Sequence, residues 1–110
     1  METYYDPQDL AKFEEIGEQA PALAKKFFDY YQEVFSAGAL TEREKALVAL
    51  GVALTVQCPY CIDAYTRAGL DKGASPEEMT EVAHIACAIR GGASLVHGVQ
   101  MKNIIGKLSF

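Results

Sequence analysis

The stretch from Ala46 to Val56 constrains this chain most. Thr41-Glu42-Arg43-Glu44 opens it as a capping box, in which the Thr41 hydroxyl accepts from the Glu44 amide and the Glu44 carboxylate returns to the Thr41 amide. Beyond that start, Leu47, Val48, Leu50, Val52, Ala53, Leu54 and Val56 leave almost no polar face. A helix that is apolar all round must be covered all round. A single domain spanning residues 1–110 is short for that task, which predicts that a second copy supplies part of the cover in a homo-oligomer.

The remaining segments also read as helices. Asp6-Pro7 is an N-cap followed by an N1 proline, and Leu10, Phe13 and Ile16 continue the first helix up to Gly17. A second begins near Pro21 and ends at Ser36-Ala37-Gly38. Its stripe of Leu23, Phe27, Tyr30, Tyr31 and Val34, widened by Phe28 and Phe35, reads as core rather than as a ligand platform. A fourth helix runs from about Cys58 to Lys72 and stops at Gly73. Ser75-Pro76-Glu77-Glu78 starts a fifth, which continues through Ile89 until Gly91-Gly92 breaks it. A sixth carries Leu95, Val99, Met101, Ile104, Ile105 and Leu108. No segment alternates as a half-buried strand does, so the expected fold is all-α, a compact bundle of about six helices.

Composition removes several function classes. With 50% hydrophobic and 23% charged residues the chain is neither disordered nor fibrous, and a net charge of −5 argues against nucleic acid as a partner. Met1 to Asp6 lacks the basic and apolar regions of a secretory signal, and the Ala46–Val56 run is short of the ~20 residues of a membrane span. A cytoplasmic protein without membrane attachment is expected.

In that compartment Cys58-Pro59-Tyr60-Cys61 is working chemistry or half of a zinc site rather than a structural staple. Zinc fits poorly, because only Cys87, His84 and His97 stand beside the pair, and the two histidines are too far apart for a finger. Neither a metal nor a bound cofactor is expected. If Cys58 caps the fourth helix, Pro59 is at N1 and both thiols lie in the first turn, where the positive end of the helix dipole favours a thiolate. Tyr65, four residues beyond Cys61 on the same face, is placed to hydrogen-bond a thiolate or a substrate. Cys87 reads as a small core residue. His84 and His97, the only imidazoles, are either buried histidines bonded to backbone carbonyls or a base near the dithiol.

Three groups of residues carry a resemblance. They are Thr41-x-Arg43-Glu44-Lys45-x-Leu47-Val48-Ala49-Leu50, Cys58-Pro59-Tyr60-Cys61-Ile62-Asp63-Ala64, and Gly73-Ala74-Ser75-x-Glu77-Glu78 with Gly92-Ala93. Over roughly residues 20 to 105 the chain resembles the carboxymuconolactone decarboxylase family, in particular its alkyl hydroperoxide reductase D-like branch. Within that branch, Met1 to Tyr5 and Cys58 to Thr66 are similar to small peroxidase-like proteins associated with arsenosugar biosynthesis. The resemblance implies helical trimers or hexamers with thiol-dependent peroxidase or disulfide reductase activity, in which Cys61 attacks a peroxide and Cys58 resolves it. It also makes a thiol-reactive arsenical a candidate ligand, since soft thiolates suit soft centres.

The family's relay pattern, Glu-x11-Cys-x2-Cys-x3-His, is broken here. Ala46 holds the glutamate position, Tyr65 the histidine position, and Tyr60 replaces the histidine that the hydroperoxidase carries between its cysteines. Glu44, two residues away, is about 200° around the helix from position 46 and does not substitute. The leading expectation is a dithiol oxidoreductase acting on a peroxide or another thiol-reactive small molecule, with an external thiol as reductant. A non-catalytic module that senses redox state or binds an arsenical or a partner is the alternative, and a decarboxylase-type enzyme without redox chemistry is a third.

Overall fold

A computed structural model describes residues 6–108. A 3₁₀ helix, Pro7–Gln19, is followed by four α-helices: α1 (Pro21–Phe35), α2 (Glu42–Val56), α3 (Pro59–Asp71) and α4 (Pro76–Leu108). All regular structure among the described residues is helical.

The starts of these helices lie where local chemistry places them. Asp6 accepts from the Gln8 amide at 2.9 Å. Thr41 and Glu44 form the reciprocal box before α2, at 3.1 and 2.8 Å. Ser75 and Glu78 repeat it before α4, at 3.1 and 2.9 Å. Gly73 takes φ of +87°, the left-handed conformation that lets the chain leave α3.

The first helix is longer and tighter than the sequence predicts. Its apolar residues Leu10, Phe13 and Ile16 are spaced by three. A 3₁₀ helix has three residues per turn, so this spacing stacks them on one line. Gly17, which follows them, is buried, and an added Cβ there would lie 2.5 Å from the Ala24 Cβ. The close docking of this segment on α1 therefore requires glycine.

Around α2 the packing is one-sided. Ala46, Leu50 and Ala53 lie four and three residues apart and are 3%, 4% and 2% exposed. The alanines let α3 and α4 approach closely, and Gly51 faces Val82 so tightly that a Cβ would come within 3.3 Å of it. Arg43 pairs with Glu78 across the starts of α2 and α4, while Arg90 of α4 donates to the Thr55 carbonyl near the end of α2 at 2.8 Å. Glu42 reaches Lys72 at 3.2 Å. The opposite face of α2, with Val48, Val52 and Val56, is exposed.

Gly91-Gly92 does not break the chain, so the expected fifth and sixth helices are one element of 33 residues. Two glycines cost about 1 kcal/mol each relative to alanine in a helix, which is a penalty and not a stop. No proline follows them, the Ser94 hydroxyl donates back to the Arg90 carbonyl at 3.4 Å within the helix, and Ala88 to Arg90 and Ala93 to Leu95 favour helix on both sides. As a result the second half of α4 projects from the bundle. The molecule measures 62 × 40 × 38 Å with a radius of gyration of 19.0 Å, against about 13 Å for a compact chain of this length. The expected compact six-helix bundle is thus an elongated chain of five helices among the described residues.

Accessible area tells the same story. The chain exposes 8717 Å², whereas a compact protein of 12.0 kDa exposes roughly 6,000 Å². Leu95, Val96, Val99, Met101, Ile104, Ile105 and Leu108 all stand exposed along α4. Continuity also makes α4 long and apolar enough to cross a membrane by length and composition, with a mean hydropathy of 1.2 over its most apolar stretch. The division at Gly91-Gly92 in the sequence reading hid this property. The first half of α4 nevertheless packs on α2, with Ala86 buried and Arg90 tied to Thr55.

The α2 cap is an accessible test of this architecture. Thr41→Ala removes the acceptor of the Glu44 amide, and a loss of about 1 kcal/mol is expected in chemical denaturation. An unchanged midpoint would show that the box does not set the start of α2.

Candidate functional site

The site is built at the turn between α2 and α3. Gln57 ends α2 at φ 58° and ψ 49°, a left-handed conformation that non-glycine residues adopt at a cost of about 1–2 kcal/mol. This reverses the chain within one residue. Cys58 follows in extended conformation (φ −97°, ψ 106°) as the N-cap of α3, with Pro59 at N1. Its Sγ accepts from the Cys61 amide at 3.4 Å, in the position a serine or aspartate oxygen takes in other caps. Both thiols lie in the first turn, free and half-buried.

Their environments push them apart. A hydrogen bond from the Cys61 side chain, then the Cys61 and Tyr60 amides, holds Cys58 below the ordinary thiol value of 9.0 against a smaller opposing effect of burial. Burial, followed by the hydrogen bond and charge of Cys58, pushes Cys61 up to about 11. The two thiols titrate as a coupled pair, in which Cys58 is favoured over Cys61 as the sulfur that loses its proton first.

Two cavities meet at Cys61. The larger, about 650 Å³, is walled by α1 and α2, with Phe35, Lys45, Val48, Val52, Val56 and Ala53 among its lining. The smaller, about 370 Å³, lies under the 3₁₀ helix, where Leu10, Phe13 and Ile16 face Cys58 and Tyr60. Tyr31, Cys61 and Tyr65 line both. Lys45 brings a cation to the larger cavity, but its ammonium is held by the Val34 and Ser36 carbonyls at 2.7 and 2.6 Å, where it caps the end of α1.

Tyr65 lies beside the thiols as the spacing predicts, with its ring stacked on Phe35 at 5.1 Å and 20°. Tyr31 is the site residue that sequence reasoning missed. Burial, then the charges of Cys61 and Cys58, raise its phenol above the ordinary value of 10.0. Its ring sits between Phe27 at 5.7 Å and Phe35 at 5.0 Å. The stripe on α1 therefore divides. Phe28, Tyr31 and Phe35 turn inward, while Leu23, Tyr30 and Val34 remain exposed. Reading the whole stripe as core concealed a site wall, although the seven-residue recurrence of Phe28 and Phe35 around Tyr31 marks the inner line.

Other expectations are corrected. Cys87 is exposed and borders a shallow groove with Arg90 and Ser94, because none of the described residues covers that face of α4. His84 and His97 are exposed on α4 and line neither cavity that reaches the cysteines. Within a protomer they do not replace the missing relay. Ala46, at the relay's acid position, is buried in the α2 packing, and Glu44 stays in its capping box. Among the described residues no three His, Cys, Asp or Glu side chains gather as a metal site would require.

Comparison with known proteins agrees with this architecture. Residues 21–101 match the model of the carboxymuconolactone decarboxylase family. The chain is 32% identical over 91 residues to uncharacterized protein 4 in the cox locus of Paracoccus denitrificans, an alignment covering 83% of this chain and 82% of that one. A crystal structure of a protein from Methanobacterium thermoautotrophicum superposes with a TM-score of 0.73 at 31% identity, covering 76% of this chain and 94% of that one. An apo carboxymuconolactone decarboxylase family protein from Legionella pneumophila gives a TM-score of 0.65 at 29% identity, over 94% and 89% of the two chains. With residues 21–101 matched and its sequence features in family order, this chain belongs to the carboxymuconolactone decarboxylase family.

Proposed function

We propose that the protein is a thiol-dependent oxidoreductase of the alkyl hydroperoxide reductase D-like kind, in which Cys58 and Cys61 cycle between dithiol and disulfide. The observation that carries this reading is the shared first turn of α3, where the Cys58 sulfur accepts the Cys61 amide at 3.4 Å. A disulfide there closes with little movement of the backbone, and the helix terminus supplies the charge stabilisation a nucleophilic thiolate needs.

Family resemblance makes Cys61 the attacking sulfur, through an acid–imidazole relay. With Ala46 and Tyr65 at the relay positions, neither carboxylate nor imidazole stands there to draw the proton from Cys61, which burial pushes up to about 11. We therefore assign the first attack to Cys58 and resolution to Cys61. Cys58 takes the terminal oxygen of a peroxide as a sulfenic acid, or one sulfur of a disulfide as a mixed disulfide. Cys61 then displaces water or thiol to close the Cys58–Cys61 bond, and an external cytoplasmic thiol returns the two electrons. The apolar, aromatic lining of both cavities suits an uncharged organic substrate.

The same reading includes a homo-oligomer. Each chain exposes about 2,700 Å² beyond the expectation for its mass, which matches the area hidden in obligate assemblies. We assign the exposed valines of α2 and the second half of α4 to contact between copies, with a trimer or hexamer as the family-like stoichiometry.

Three measurements examine these assignments. Because the thiolate is the reacting form, alkylation of Cys58 should rise with pH through a midpoint below 9.0, with Cys61 following near 11. In Cys58→Ser the Cys61 midpoint should fall, since the hydrogen bond and charge of Cys58 are gone, while burial keeps it above 9.0. Peroxide should convert the parent to a Cys58–Cys61 disulfide through a sulfenic acid, and Cys58→Ser should abolish turnover. Retained turnover in Cys58→Ser would overturn the assignment of first attack to Cys58, and a thiol pair inert to peroxide and disulfides would favour the non-catalytic module. For the assembly, Ile104→Glu should shift the protein toward monomer in sedimentation velocity, and an unchanged sedimentation coefficient would remove the second half of α4 from the interface.

A further inference from the structure

The geometry points to Tyr31 as the general acid of the site, donating its phenolic proton to the oxygen that leaves when the thiolate attacks an organic hydroperoxide. The inference rests on the dithiol reading above and supplies what the broken relay leaves missing.

Three observations place Tyr31 in this role. It is half-buried on the inner line of α1, with Phe27 and Phe35 on either side of its ring. It lines both cavities that meet at Cys61, so a substrate entering through either passes it. Burial first, and then negative charge on the neighbouring sulfurs, raises its phenol above the ordinary value, so it keeps its proton at neutral pH. Among the described residues, Lys12 and Tyr60 line only the smaller cavity, and Lys12 is paired there with Asp9 at 3.5 Å. Lys45 is committed to two backbone carbonyls, and the imidazoles lie on α4 away from both cavities. Tyr65 shares the cavities, but it sits on the helix of the cysteines with its ring stacked on Phe35 at 5.1 Å.

The chemistry closes on the residues present and an external thiol. The Cys58 thiolate attacks the terminal oxygen of R–O–O–H, the S–O bond forms and the O–O bond breaks. Sulfur is oxidised to the sulfenic acid and the peroxide is reduced to the alcohol, whose oxygen takes the Tyr31 proton. Cys58 is now neutral. The hydrogen bond and charge of Cys58 no longer add to the effect of burial on Cys61, so Cys61 passes its proton to the more basic Tyr31 phenolate and becomes a thiolate. That thiolate attacks the Cys58 sulfur, the disulfide forms and hydroxide leaves to solvent. An external thiol reductant restores both cysteines. One phenol thereby protonates the leaving group and activates the resolving thiol, two tasks that the family's relay divides between an acid and an imidazole.

The test is a comparison of leaving groups in Tyr31→Phe, with Tyr30→Phe on the exposed face of α1 as control. Iodoacetamide loses iodide and a peracid loses carboxylate, neither of which needs a proton, whereas tert-butyl hydroperoxide must lose an alkoxide. Tyr31→Phe is expected to slow Cys58–Cys61 disulfide formation from tert-butyl hydroperoxide by about 10²-fold. Its reactions with iodoacetamide and peracetic acid should stay within about threefold of the parent, since a lost proton donor does not alter the thiolate. Equal slowing with all three reagents would make Tyr31 a packing residue and overturn the proposal, as would a variant as fast as the parent with the hydroperoxide. Loss of hydroperoxide reactivity in Tyr65→Phe alone would move the role to Tyr65. A parent chain that forms no disulfide overturns the dithiol reading and this role together, while a reactive parent with an equally reactive Tyr31→Phe overturns only the role.

Discussion

Close approach to α2 is the constraint on which the rest of the protomer depends. Ala46, Leu50 and Ala53 present a shallow surface, and α3 and α4 settle onto it at distances that larger side chains would forbid. That contact fixes the end of α2 and the direction in which the chain must leave it. With only one residue in which to turn, Gln57 adopts the left-handed conformation, and Cys58 becomes the N-cap of the next helix. The chemistry of the pair is thus a consequence of helix packing. Two cysteines at the same spacing in mid-helix would have neither the amide donor nor the asymmetry of burial.

That asymmetry separates this chain from the relay its family resemblance implies. A relay activates a buried thiol by removing its proton through neighbouring bases. Here the position of the acid has been given to packing, since Ala46 is part of the α2 surface, and the position of the imidazole holds a phenol stacked on Phe35. A fold can keep its dithiol and change how charge is delivered to it, because the helix terminus is a backbone property and survives side-chain replacement.

Much of this was legible in the sequence, for physical reasons that differ by element. Thr41 with Glu44, Ser75 with Glu78, and Asp6 with Pro7 are local signals whose chemistry is complete within four residues, and the helices begin where they say. Cys58 as an N-cap followed from Pro59. Gly91-Gly92 misled, because glycine weakens a helix without ending it and no stop signal accompanied the pair. The inward turn of Tyr31 was not legible, since it depends on which edge of a wide aromatic stripe meets α3. The exposure of Cys87 was hidden similarly: an apolar neighbourhood in sequence says that a surface will be covered, and not that the same chain covers it.

Val48, Val52 and Val56 serve two spaces at once, the cavity that reaches Cys61 and an apolar groove on the other side, about 420 Å³, that runs between α2 and α4. Whatever fills that groove displaces water from a wall of the thiol chamber and changes the free energy of a charge on Cys61. Linkage makes the effect mutual: a species that favours one oxidation state of the pair on binding is itself held more tightly by that state. If copies of the chain associate through that groove as proposed above, the three valines tie that association to the state of the two cysteines.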